Sequence, residues 1–534
     1  MRPIAEIADG LGLGRDDYDL FGPSVAKVAL RPRSGARPPG KIVLVTGMTP
    51  SGHGVGKTVT TLSLGEALTR RGRGAIACLR QPSLGPVFGI KGGGAGGGRA
   101  TVEPLAEVNL GLTGDIDAVT NAHNLLAALI DNHLHHGNAL GLDPGRVSWS
   151  RVLDLEDRSL REIEIGRGAG NGPVRPASFM ITPASEIMAI LGVASGPEDL
   201  VERLGRVRIG HDRAGRAIAA DALGAGPAMA AILRHAIRPN LLQSAEGSPV
   251  LVHGGPFGNL SYGTTTRLSV EFARSVADIV LVEAGFGSDL GAEKFVDLFA
   301  PPAGLEPSAA VLVASVPGLL AHAPGAAGSA RLGAGLDNLE HHVHNLRAFG
   351  LDPVVALNRF PDDDAGDLTA VRERCAQLGV RVEPNRGFSD GGAGALSLAE
   401  AVEAAVARGT PARPLYTWDQ PVAAKIEAVV RTAYGGDGAD WARDAADALA
   451  TPDWPEVVGA PVCLAKTPLS LTDDPKRLGR PTGFRVTVRR FVPAAGAGYG
   501  IAYLGDIQTM PGLPHDPRAA HIGLGPDGVP TGVA

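Results

Sequence analysis

KIVLVTGM followed by TPSGHGVGKT (residues 41–58) decides the fold class. The first eight residues form a nearly unbroken apolar run, as in a strand buried on both faces of a parallel sheet. The next ten are rich in glycine. KTVTTLSLGEALTRRG (57–72) then carries Leu62, Ala67 and Leu68 at spacings that predict an amphipathic helix. Strand, glycine loop and helix in that order bring backbone N–H groups and a helix N-terminus to one point, which suits phosphate oxygens.

Each residue of the loop has an expected task. Gly52, Gly54 and Gly56 permit close backbone approach, Lys57 lies along the β- and γ-phosphates, and the Thr58 hydroxyl binds the Mg²⁺ that bridges them. The expected ATP-binding segment is Thr49, Pro50, Ser51, Gly52, His53, Gly54, Val55, Gly56, Lys57 and Thr58. The strict GxxxxGK[ST] spacing fails at Ser51, so an ordinary glycine-rich turn is the competing reading. GKT between a strand and a helix argues against it. The GxGxxG matches inside 92–98 are nearly automatic in so glycine-rich a tract and carry little weight. The tract KGGGAGGGR (91–99) is either a flexible loop or a place where another group must come close to the backbone.

Outward from this unit the same alternation recurs. AIACLR (75–80), SPVLVHGG (248–255), ADIVLVEAGFG (277–287), AAVLVASV (309–316) and DPVVALNRF (352–360) read as strands with polar or glycine-rich exits. Helical patterns cover 265–277, 334–349 and 366–379. Such βαβ repetition places ligands beyond the carboxyl ends of the strands. The expected fold is α/β: a P-loop NTPase-like parallel sheet core over 1–265, a second α/β domain over 266–411, and a smaller α+β domain over 412–534 after the PARPLYTWDQP linker.

Composition removes other classes. The chain has 534 residues, 44% of them hydrophobic and 20% charged, enough for a large core and unlike a disordered chain. A formal charge of −6 makes nucleic acid an unexpected partner. Cys78, Cys375 and Cys463 form no CxxC pair. No apolar run approaches a membrane span and no h-region opens the chain, so a cytoplasmic location is expected. His123 and HLHHG (133–137) lack the partners of a metal shell and read as surface or interface histidines.

More specific blocks lie downstream: LRQPSLGPVFGIKGGGAGGG (79–98), AHNLLAALIDNH (122–133), VHGGPFGN (252–259), EAGFGSDLGAEKF (283–295), TDDPKRLGRPTGF (472–484) and TMPGLP (509–514). In this order, along nearly the whole chain, they closely resemble formate–tetrahydrofolate ligase. The resemblance implies that formate, ATP and tetrahydrofolate give 10-formyltetrahydrofolate, ADP and phosphate through formyl phosphate. It also implies Mg²⁺, a supporting monovalent cation and a homotetramer, which the apolar 122–134 helix could serve. Arg80, in the R-x-P-S-L-G-P block, is the expected clamp on the formyl-phosphate oxygens. Lys57 and Arg80 are the expected catalytic pair. Phe286, Phe360 and Phe388 match positions that hold the flat pterin and its aromatic side chain, although a lone phenylalanine is ordinarily core.

The departures gather around the same place. The family's PAGEGKT loop is PSGHGVGKT here, and a glutamate, a tyrosine, a histidine and an arginine are replaced by Gln81, Arg99, Gly111 and Pro317. The AHG turn is SYGT around Tyr262, while a tryptophan and a lysine are replaced by Phe388 and Asp390. A divergent working ligase is the first expectation. The alternatives are a paralogue that activates a different acid or uses a different acceptor, and a non-catalytic nucleotide-binding homologue. The GVGKT loop alone also resembles partitioning ATPases and dethiobiotin synthetases.

Overall fold

The computed structural model describes residues 1–31, 37–50, 54–90, 94–327, 330–452 and 454–533. The apolar runs form one sheet built from β1 (Lys41–Gly47), β2 (Ala75–Leu79), β3 (Asn240–Ser244), β4 (Pro249–Val252), β5 (Ile279–Gly287), β6 (Ala309–Ser315), β7 (Pro353–Asn358) and β8 (Arg381–Asn385). Their order is β3-β4-β2-β5-β1-β6-β7-β8, and β4 to β8 are parallel. On the far side of β3, strands Ala26–Val28 and Tyr18–Leu20 extend the sheet antiparallel. The central strands are buried along their length because helices cover both faces, hence their continuous rather than alternating apolar character.

The boundary expected at 265/266 falls inside this sheet. β2 pairs with β4 on one side and β5 on the other, and β1 lies between β5 and β6. One hydrophobic core runs from Ile4 to Tyr499. A second core gathers Tyr416, Ile426, Tyr434, Leu464, Val486 and Phe491, around the small sheet of Val462–Ala465, Arg490–Ala494 and Tyr499–Tyr503. Beyond it the chain returns to the other half: Ile181 N–H donates to Thr509 O (2.7 Å) and Asn109 Nδ2 to Val533 O (2.9 Å).

The helices include α1 (Lys57–Arg70), α2 (Asp115–His135), α3 (Arg267–Val276), α4 (Ala330–Ala348) and α5 (Ala365–Gln377). α1 differs from the expected amphipathic helix: every residue from Thr60 to Leu68 is buried. The sheet covers one side, and the segment around Gly392 covers another, so close that a Cβ there would lie 2.6 Å from Glu66 Cβ. On α2, Val119, Ala122, Leu126 and Ile130 pack into this chain's own core, while Leu125, Ala128 and Leu129 keep part of their surface outward. Among the described residues no helix is long and apolar enough to cross a membrane.

Candidate active site

The site grows from a reversal in the sheet. From β1 the chain crosses through α1 to β2, stepping over the place that β5 fills; from β5 it later crosses to β6, stepping over β1. Connections leaving in opposite directions open a crevice at the carboxyl ends of β1 and β5, where α/β proteins bind ligands.

The glycine loop hangs over that crevice. Gly56 caps α1 with φ +80, and a Cβ there would lie 2.6 Å from Asn358 Nδ2, so only glycine fits. Asn358, at the end of β7, donates to Val55 O (2.9 Å) and accepts Asn385 Nδ2 from the end of β8 (2.7 Å). The aliphatic stem of Lys57 passes over Gly47, whose Cβ, if present, would lie 3.6 Å from Lys57 Cδ. Thr49 is buried, with its N–H donating to His342 Nε2 (2.8 Å) and its hydroxyl oxygen accepting Asn338 Nδ2 (3.0 Å). It therefore anchors the loop and has no amide left for a phosphate. Ser51, Gly52 and His53 lie outside the described residues.

Thr58 Oγ1 donates to Glu283 Oε2 at 2.7 Å. Glu283 was not among the residues picked from sequence. Its signal was present, an apolar run IVLV ending in an acid (279–283), but nothing local says that this strand lies beside β1. A loop hydroxyl and a strand-end carboxylate together are the ordinary protein ligands for the Mg²⁺ of a nucleoside triphosphate.

Arg80 leaves the end of β2. Its Nη1 donates to Pro256 O (3.3 Å), and its Nη2 would lie 2.9 Å from a Cβ on Gly285, so the guanidinium rests against the exit of β5. Burial lowers its pKa and the charge of Glu283 opposes that shift. The next residue, Gln81, is only 3% exposed. Its Nε2 donates to Gly111 O (3.2 Å), and among the described residues its Oε1 finds no partner.

The three phenylalanines all lie at the carboxyl ends of strands on this edge, Phe286 in the last residues of β5 and Phe360 and Phe388 just after β7 and β8. Phe286 sits at φ +60, its ring against Gly258, where a Cβ would lie 2.7 Å from Cε2. Phe360 and Phe388 are 46% and 61% exposed, the opposite of core residues. Phe388 rests on the glycine tract: a Cβ on Gly98 would meet Phe388 O at 2.1 Å, and Arg99 N–H donates to that oxygen (2.9 Å). Close approach, the second of the two readings of this tract, holds at Gly98; residues 91–93 lie outside the described residues. Arg99 and Asp390 flank this platform, the latter paired with Arg386 (2.9 Å).

Other singled-out residues stand apart. Tyr262 is buried, its hydroxyl facing Ala497 O (3.4 Å), and Pro317 lies in the first turn of the short helix Val316–Leu320. His123 stacks on Trp149 (4.1 Å between centroids) with burial holding its pKa down to about 3, so it is an internal neutral imidazole and not a surface one. No group of three His, Cys, Asp or Glu side chains among the described residues could hold a metal ion.

The profile of formate–tetrahydrofolate ligase matches residues 1–534. The chain belongs to the formate–tetrahydrofolate ligase family. It is similar to the formate–tetrahydrofolate ligase of Paracoccus denitrificans, 46% identical with 98% of this chain and 96% of the relative covered. The relatives from Symbiobacterium thermophilum and Thermus thermophilus are each 45% identical, covering 100% and 98% of this chain and 98% and 97% of their own. The likeness to a formate–tetrahydrofolate ligase thus runs end to end and is not confined to the GKT loop, which removes the partitioning and dethiobiotin readings.

Proposed function

We propose that the crevice uses ATP to activate formate and passes the formyl group to tetrahydrofolate, giving 10-formyltetrahydrofolate, ADP and phosphate. The observation that carries this reading is the Thr58–Glu283 pair beside Arg80 at the switch point of the sheet. Full-length family membership supports the choice of substrates, and it disfavours a different acid or acceptor and a non-catalytic homologue.

The chemistry assigns each group a task. Formate is a stabilised anion with a poor leaving group, so one of its oxygens first takes the γ-phosphoryl group of ATP, releasing ADP. The N10 amine of tetrahydrofolate then attacks the formyl carbon, phosphate departs and the amine proton is lost. Phosphoryl transfer between anions depends on positive charge around the transferring group. Lys57 and the rigid fork of Arg80 supply it. Thr58 and Glu283 are suited to hold Mg²⁺, whose contribution when bound is to neutralise phosphate charge. Exposed Phe360 and Phe388, with Phe286 deeper, offer flat apolar surface to a pterin.

Gln81 Oε1, buried and without a partner among the described residues, is suited to a monovalent cation. Assembly as a homotetramer, a cytoplasmic location and a smaller C-terminal α+β domain over 412–534 complete the proposal. The test follows ADP release by purified protein with formate, with and without tetrahydrofolate. ADP and 10-formyl product rising together only when both are present is the expected result. Turnover with another carboxylate but not with formate would overturn it.

A further inference from the structure

Two neighbouring strands part at the crevice, and one imidazole fills the gap between them. β1 and β5 run side by side until Gly47 faces Gly287. Beyond that point Thr49 turns toward the nucleotide loop, and Ser288 follows directly after the Phe286–Gly287 exit. His342, on α4 and 0% exposed, touches both. Its Nε2 lies 2.8 Å from Thr49 N and 2.9 Å from Thr49 Oγ1, and its Nδ1 lies 2.8 Å from Ser288 Oγ.

The partners fix the tautomer. A backbone amide can only donate, so Nε2 carries the lone pair and the ring proton is on Nδ1, donated to Ser288 Oγ. Thr49 Oγ1 accepts Asn338 Nδ2 (3.0 Å), which leaves its own proton free to point at Nε2. Ser288 Oγ also accepts Asn345 Nδ2 (3.0 Å). Burial holds the imidazole near pKa 3, so the ring stays neutral and its donor and acceptor ends do not exchange.

The strut has little slack. A Cβ on Gly287 would lie 3.0 Å from His342 Cε1. Asp289, next after Ser288, is pinned by Lys466 (2.7 Å, both side chains 0% exposed). On the other side His322 Nε2 donates to Thr49 O (3.3 Å), since its Nδ1 accepts Gly479 N–H (3.1 Å). A shift of Thr49 therefore reaches Ser288 through one rigid ring, and from there the strained turn that holds Phe286.

We propose that His342 is a positioning residue that couples nucleotide occupancy of the crevice at Lys57 and Thr58 to the setting of Phe286, so that nucleotide and folate acceptor each tighten the binding of the other. This rests on the reading of Phe286 as part of the acceptor site. Coupling between sites is reciprocal and is typically about 5- to 150-fold.

The experiment measures the dissociation constant of MgADP by calorimetry with and without tetrahydrofolate, in the wild type, in Ser288→Ala and in His342→Gln. Ser288→Ala cuts the strut at its Phe286 end and leaves the loop contacts in place, so it serves where His342→Gln fails to fold. The wild type is expected to bind nucleotide at least about fivefold more tightly with folate present. In Ser288→Ala that ratio is expected to fall to about one, with the nucleotide affinity measured alone within about twofold of wild type and KM for tetrahydrofolate rising more than kcat falls. A merely structural role would lower the melting temperature and leave the ratio intact. An intact ratio in Ser288→Ala, or a wild type without any coupling, overturns the inference while ligase activity stands. A wild type that makes no 10-formyl product overturns the ligase reading itself, and this inference with it.

Discussion

Thr58 lies in the first turn of α1 and Glu283 ends the apolar stretch of β5, and their side chains meet at 2.7 Å although 225 residues separate them. The contact joins the loop that would receive a triphosphate to the strand that carries Phe286. It has a direct consequence for metal dependence.

Glu283→Gln keeps size and one acceptor oxygen but removes the negative charge. The Mg²⁺ concentration for half-maximal turnover is expected to rise about tenfold or more, and kcat to fall by about 10²-fold, the scale on which single electrostatic groups act in catalysis. Steady-state rates across a Mg²⁺ titration measure both. Rates within twofold of wild type at all Mg²⁺ levels would remove Glu283 from the metal site.

Arg80→Lys preserves charge and loses the planar fork. If the guanidinium grips two oxygens of the transferring group, kcat drops by about 10²- to 10³-fold. Nucleotide affinity should stay within about threefold, because the triphosphate is held chiefly by the loop. Nucleotide binding by calorimetry, set beside single-turnover ADP formation, separates the two effects.

Gly98→Ala tests the platform under Phe388. The added Cβ would sit 2.1 Å from Phe388 O, at a residue with φ +61, so the Phe388 segment has to move. KM for tetrahydrofolate is expected to rise about tenfold with KM for ATP unchanged, and stability to fall by about 1–2 kcal/mol. An unchanged folate KM would detach Phe388 from the acceptor.

Glu66 lies beneath the same segment, on α1. Burial pushes its carboxyl up from 4.5 to about 7, with Glu246 adding to the shift and hydrogen bonds from Ser244 and Glu246 opposing it. A folded-state pKa above the ordinary one means that the native protein keeps its proton longer than the unfolded chain. The corresponding stability is complete below pH 4.5 and drains away as pH rises toward 7. Melting temperatures of wild type and Glu66→Gln should therefore run together near pH 5 and separate above 7, with Glu66→Gln the more stable. Glu186, also pushed up to about 7, is common to both proteins and cancels in the comparison.

Much of the site could be read in one dimension because its residues act where they stand. The apolar run of β1, the glycine loop and Lys57 are contiguous, and each property is local. The phenylalanines could be placed because each lies at or just past the carboxyl end of a strand. Other features depend on strand order, which no local pattern encodes. Glu283 acquires a role only because β5 inserts between β1 and β2, and the same insertion carries the sheet across 265/266. α1 reads as half-exposed since the cover near Gly392 comes from more than 300 residues away. His342 reads as one histidine among several in HHVH, and only the meeting of two strand ends gives it partners.

β1 draws both its hydrogen-bonded neighbours, β5 and β6, from beyond residue 265. A truncated chain stopping there would leave the strand that carries the glycine loop with two bare edges, and β2 with one. Naked, flat, apolar edges recruit other chains. Such a fragment is destined for inclusion bodies, and the loop must wait for distant sequence before it has anything to stand on.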